Sequence, residues 1–156
     1  MIELSFQSDL NISREALWTG VSTMRGVNFE LRPLLRMTWP CALDDYLLDE
    51  APTGEVLFRS WLLLFGLLPV DRHSLILKEV RPGTGFVEES FSWTNRLWRH
   101  ERTLETLGPG RCRLRDRLTF APRLAPLRPL LRAFVNILFT HRHSVLRKRF
   151  GTRKLF

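Results

Sequence analysis

Two neighbouring segments carry most of the chemistry open to this sequence. Residues 112–120 alternate strictly, with Cys112, Leu114, Asp116, Leu118 and Phe120 on one side and Arg113, Arg115, Arg117 and Thr119 on the other. Period-two alternation of this kind reads as a half-buried strand whose first set points inward. A carboxylate among such neighbours is costly unless it is paired or hydrogen-bonded. Residues 97–107 offer partners, because Trp98, His100, Arg102 and Leu104 share the more apolar face. Residues 86–94 set Val87, Glu89, Phe91 and Trp93 against Phe86, Glu88, Ser90 and Ser92, and the first set is expected to face inward.

The inward polar set is then Glu89, His100, Arg102 and Asp116, and its uses compete. Structurally, Arg102 and Asp116 form a bidentate pair on adjacent strands and His100 is satisfied by a neighbour. Functionally, the four are the few convergent polar groups that orient a ligand in an apolar pocket. A third use is proton transfer by His100 with Asp116 or Glu89, which would make these three catalytic. No nucleophile or motif of fixed spacing supports the third, so the expectation leans away from an enzyme.

Other reactive residues fall into structural roles. His141 and His143 are two apart on a helix and diverge, and His73 has no companions at ligand spacing, so no metal site is expected. Gly83-Thr84-Gly85 is a hairpin turn without the Lys-Ser/Thr of a phosphate loop, and no cofactor is expected. Cys41 and Cys112 lack CxxC spacing and read as small hydrophobes.

The elements that must position these groups follow from periodicity and punctuation. Residues 2–7 alternate as a strand. Ser13 then caps a short helix with Glu15 in its first turn and Ile12 and Leu17 as a hydrophobic staple. Gly26-Val27-Asn28 reads as a turn, residues 29–35 as a second helical piece despite Pro33, and residues 37–40 as a short strand. Strands are expected at 55–65, 74–80, 86–94, 97–107 and 112–120, joined by connections too short for anything but an antiparallel meander. After Pro122, Pro126 and Pro129 a helix over 126–150 spans about 30–37 Å at 1.5 Å per residue. Leu127, Leu130, Leu131, Phe134, Leu138, His141, Val145 and Leu146 form its broad apolar face, with Arg142 elsewhere.

Composition bounds the rest. The chain has 156 residues, 44% hydrophobic and 26% charged, which suits a single domain with its own core. It opens on a strand rather than a basic and then apolar leader, and its longest apolar run, 56–70, is interrupted by Arg59 and Gly66. A cytoplasmic protein without an integral membrane span is therefore expected. The net charge of +8 is uneven, since ten Arg or Lys and no acidic residue follow Asp116. Without interleaved aromatics to stack bases, this argues against nucleic acid. It leaves an interaction module with weak attraction to an anionic surface as a further alternative.

The order of elements resembles the START-like or SRPBCC superfamily, whose helix-grip fold is shared with birch-pollen-type allergens and polyketide cyclases. The resemblance spans nearly the whole chain. It is carried by Trp98-Arg99-His100-Glu101, by Asp116-Arg117-Leu118 after a Gly-Pro-Gly turn, and by Phe139-Thr140-His141-Arg142-His143 through Arg149-Phe150-Gly151. These segments look like those of small bacterial ligand-binding members. The implied fold is α+β: a curved antiparallel sheet of about six to seven strands, two short helices after the first strand, and a long C-terminal helix across the sheet. The implied function is binding of an apolar or amphipathic molecule, such as a lipid or polyketide, between sheet and helix. A cyclase, aromatase or dehydratase is the alternative. Placed on that fold, the pocket would be lined by Glu89, Phe91, Trp93, Trp98, His100, Arg102, Cys112, Leu114, Asp116, Leu118, Phe134, Leu138 and His141. Residues 20–28 and 82–85 are the expected mouth.

Overall fold

The computed structural model describes residues 1–151. Strand β1 (Ile2–Leu10) leads into helices α1 (Arg14–Val21) and α2 (Met24–Leu31), followed by the short strand β2 (Leu35–Met37). A meander follows: β3 (Val56–Leu64), β4 (Leu68–Arg81), β5 (Gly85–Ser92), β6 (Asn95–Gly108) and β7 (Arg111–Pro122). A 3₁₀ turn at Ala125–Leu127 starts the long helix α3 (Arg128–Phe150). Among the described residues the strands form one seven-stranded antiparallel sheet in the order β1-β7-β6-β5-β4-β3-β2. This is the helix-grip arrangement expected.

Local chemistry sets most boundaries. The Ser13 hydroxyl accepts the Ala16 N–H at 3.2 Å and caps α1, as its sequence indicates. The second helix differs from expectation. Thr23 caps it through the Gly26 N–H, so Gly26, Val27 and Asn28 lie inside α2 rather than in a turn, and the helix ends before Pro33. Gly26 serves packing: a Cβ there would lie 2.0 Å from the Gly20 carbonyl oxygen. The short strand lies at 35–37, where Asn28 clamps the Met37 backbone through both its amide groups at 2.9 Å. Strand β4 begins earlier than expected. Pro69 is tolerated because it pairs with β3 while pairing with β5 starts only at His73.

Helix α3 joins three apolar clusters. Val135 and Phe139 pack with Ile2, Leu118 and Phe120; Leu138 packs with Leu31 and Leu35; Leu146 packs with Leu10, Leu17, Cys112 and Leu114. Its buried face is rotated from the expected one. Leu130 is exposed, while Arg142 and His143 are buried, because charged groups on α2 and β7 await them there.

The close approach of α1 and α2 is testable by urea denaturation. Gly26→Ala forces backbone apart and should cost about 1–3 kcal/mol. Gly20→Ala meets nothing within 4 Å and should gain up to about 1 kcal/mol from helix propensity.

Candidate functional site

Asp116 and Arg102 face each other in register on β7 and β6. Arg102 donates Nε–H to Asp116 Oδ1 at 2.8 Å and Nη2–H to Oδ2 at 2.9 Å, the bidentate pair the alternation foreshadows. The same guanidinium donates Nη1–H and Nη2–H to Glu30 on α2 at 3.1 and 2.9 Å. Arg142 on α3 adds its Nε–H to Glu30 Oε1 at 3.2 Å. His100 Nε2 and His143 Nε2 complete Asp116, at 2.7 Å from Oδ1 and 2.8 Å from Oδ2. An ionised carboxylate only accepts, so both imidazoles carry their proton on Nε2. Ser8 on β1 lies 2.7 Å from His143 Nδ1 and accepts from Arg147.

The charges balance, two guanidiniums against two carboxylates. Burial pushes the Asp116 carboxyl up, but Arg102, then His100 and His143, overcome it and hold the group well below the usual carboxylate range. Burial likewise raises Glu30, and Arg102 and Arg142 more than reverse it. Burial lowers the His100 pKa, and the attraction of Asp116 does not restore it. Four donors thus occupy the two oxygens of Asp116.

Beside this network the sheet stands away from α2 and α3 and leaves a cavity of about 400 Å³. Leu35, Phe58, Leu62, Leu75, Leu77, Phe86 and Trp98 line it from the sheet, and Val27, Leu31, Phe134, Leu138 and Phe139 from the helices. Its polar lining includes Asp71, His73, Glu88, Asn95, His100, Arg102 and Arg142. Val70 and Leu130 line it and are also exposed, so it opens between the β3–β4 hairpin and the start of α3. The 20–28 segment does border it, but the 82–85 turn does not.

Of the residues assigned to the pocket from sequence, Trp98, His100, Arg102, Phe134 and Leu138 border this space. Asp116, Cys112, Leu114 and Leu118 are fully buried behind it, since β7 lies under the helix. His141 turns away to the Arg32 carbonyl. The assignment of β5 is inverted: Glu88, Ser90 and Ser92 point inward, while Glu89 pairs outside with Lys78 and Arg99. Phe91 and Trp93 are exposed, Trp93 standing edge-on to Trp61. The inversion has a physical cause. Glu88 Oε2 accepts from His73 Nε2 and Ser90 Oγ, each at 2.6 Å, so the more polar set is the one with partners inside. Burial raises the Glu88 carboxyl, and His73 and Ser90 carry it back below its usual value. Glu30, Glu88, Arg142 and His143 were missed because helix and strand periodicity scores them as solvent-facing, and His73 and Asn95 because they fall in connections outside the expected strands.

The comparisons agree with this architecture. A family model described as "Domain of unknown function (DUF8410)" matches residues 8–150. No curated protein sequence matches the chain. A START superfamily protein from Mycobacterium smegmatis is similar in structure with a TM-score of 0.69 at 14% identity, covering 96% of this chain and 97% of that one. The Zhui aromatase/cyclase from Streptomyces sp. R1128 gives 0.68 at 11% identity, covering 95% and 92%. Ara h 8.0201 gives 0.56 at 10%, covering 94% and 98%. At such identities the likeness is one of fold, START-like and helix-grip.

Two outcomes test the network. Asp116→Ala strands Arg102 and should cost about 3–5 kcal/mol in urea unfolding. The depressed carboxyls contribute stability that is complete above their unfolded values near pH 4 and is lost as pH falls toward the folded ones. The depressed His100 makes the unfolded chain the better proton binder below about pH 6.5. The urea midpoint should therefore fall from about pH 7.5 to 5.5 and more steeply below pH 4, and His100→Gln should flatten the first part.

Proposed function

The chain belongs to the DUF8410 family, and from its cavity we propose that it binds an apolar or amphipathic small molecule between sheet and α3. The observation that carries this reading is the space itself. About 400 Å³ bordered mainly by aliphatic and aromatic side chains lies within the ~300–1,000 Å³ of small-molecule sites. A core of this composition would ordinarily close on itself. Here the ion network under α2 and α3 has fixed lengths and directions, and it holds the helices at a set distance from β4 and β5.

Affinity would come from removing apolar surface from water, at about 25 cal/mol per Å² before ordering costs. Entry would be past Val70 and Leu130, where apolar side chains already meet solvent. The START superfamily neighbour and Ara h 8.0201 share the fold, which is compatible with binding in the same layer.

Native mass spectrometry of gently purified protein, with organic extraction, tests the reading. A reproducible adduct, together with enhanced fluorescence of the neutral dye Nile red, is expected from the wild type. Leu62→Trp, which fills the cavity from β3, should abolish both while leaving the fold intact by circular dichroism. Dye uptake unchanged in Leu62→Trp would refute binding in this space.

A further inference from the structure

We propose that the cavity selects apolar ligands whose polar end donates hydrogen bonds, a protonated amine or a hydroxyl, and discriminates against carboxylates. The inference rests on the binding reading above and deepens it. Its basis is the wall formed by β4, β5 and the β5–β6 turn, where acceptors lack donors among the described residues.

Asn95 shows this most directly. It is 6% exposed, borders the cavity, and its Oδ1 is buried without a hydrogen-bond partner among the described residues. The amide orientation follows from its neighbours. Thr94 spends its only hydroxyl proton on Asp71 Oδ2 at 2.6 Å, so its oxygen accepts from Asn95 Nδ2 at 3.2 Å. Oδ1 is the atom left over.

Glu88 repeats the pattern deeper in. It is 7% exposed, and both its donors, His73 and Ser90, sit on Oε2. Oε1 accepts from none of the described residues. His100, which faces Glu88 in register, commits Nε2–H to Asp116 and leaves Nδ1 as an acceptor.

Charge points the same way. Asp71 and Glu88 are the carboxylates of the lining, and its cations, Arg102 and Arg142, already face Glu30. A ligand carboxylate on this wall would bring acceptors against acceptors and like charge against Glu88. An ammonium or hydroxyl would give Glu88 Oε1 the donor it lacks and would relieve Asn95 Oδ1, the acceptor that is buried without a partner among the described residues. The chain's net charge of +8 favours anions at its surface, so a preference for the amine must arise inside.

Isothermal titration of the wild-type protein with decylamine, decanol and decanoate, equal in chain length, decides the matter, with Nile red as a neutral control. Decylamine is expected to bind at least about tenfold tighter than decanoate, with decanol also ahead of the acid. An amine well ahead of the alcohol assigns the selection to Glu88 charge; parity assigns it to hydrogen bonding. Glu88→Gln should reduce the amine-to-acid ratio, and Asn95→Leu should weaken the alcohol most. Decanoate binding as tightly as decylamine overturns the inference whatever the variants do. So does Nile red uptake without binding of either the amine or the alcohol. Failure of the dye and all three probes overturns the binding reading itself.

Discussion

A guanidinium with no access to water organises this molecule. Arg102 is 1% exposed, and a charge so placed persists only if every direction around it is answered. The answers come from distant parts of the chain: Glu30 on α2 and Asp116 on β7, with Arg142 and His143 on α3 balancing those two carboxylates in turn. Apolar packing alone tolerates sliding, since contacts between aliphatic groups have little direction. Hydrogen bonds to fixed oxygens do not. The network therefore sets where α2 and α3 rest on the sheet, and three separate apolar clusters fill in around it.

That placement explains why a cavity and a solid core coexist. Over β1 and β7 the helix is held close, and Ile2, Leu118 and Phe120 are sealed. Among the described residues no comparable ion pair ties α2 or α3 to β3, β4 or β5, and the sheet curves away. The close side contains the saturated charges and the open side contains the unsaturated acceptors. The two sets meet on one concave face, since His100, Arg102 and Arg142 of the network also border the cavity. His100 sits at the boundary, bound to Asp116 by one nitrogen and without a hydrogen-bond partner at the other among the described residues.

Much of the architecture was legible in the residues. Alternation over 112–120 set the orientation of β7, and the short turns imposed an antiparallel meander. The Ser13 cap placed α1, and the Arg102–Asp116 pairing followed from two strands being neighbours. The failures share one cause. Periodicity ranks faces by hydrophobicity, and on β5 the less hydrophobic face is inside because Glu88 finds His73 on the neighbouring strand and Ser90 donates to the same carboxylate oxygen. On α3, Arg142 and His143 break the expected stripe for the same reason.

By itself, then, the sequence determined the elements, their order, the antiparallel pairing and the need for a partner at each inward charge. These depend on neighbours within a turn or an adjoining strand, where local sterics and period decide. Which partner would answer each charge was decided by the tertiary structure, because Glu30 lies 72 residues from Arg102 and 112 from Arg142. So was the shape of the empty space, which depends on how far apart those long-range bonds hold two surfaces. No local pattern records a distance between segments that meet only when the chain is folded.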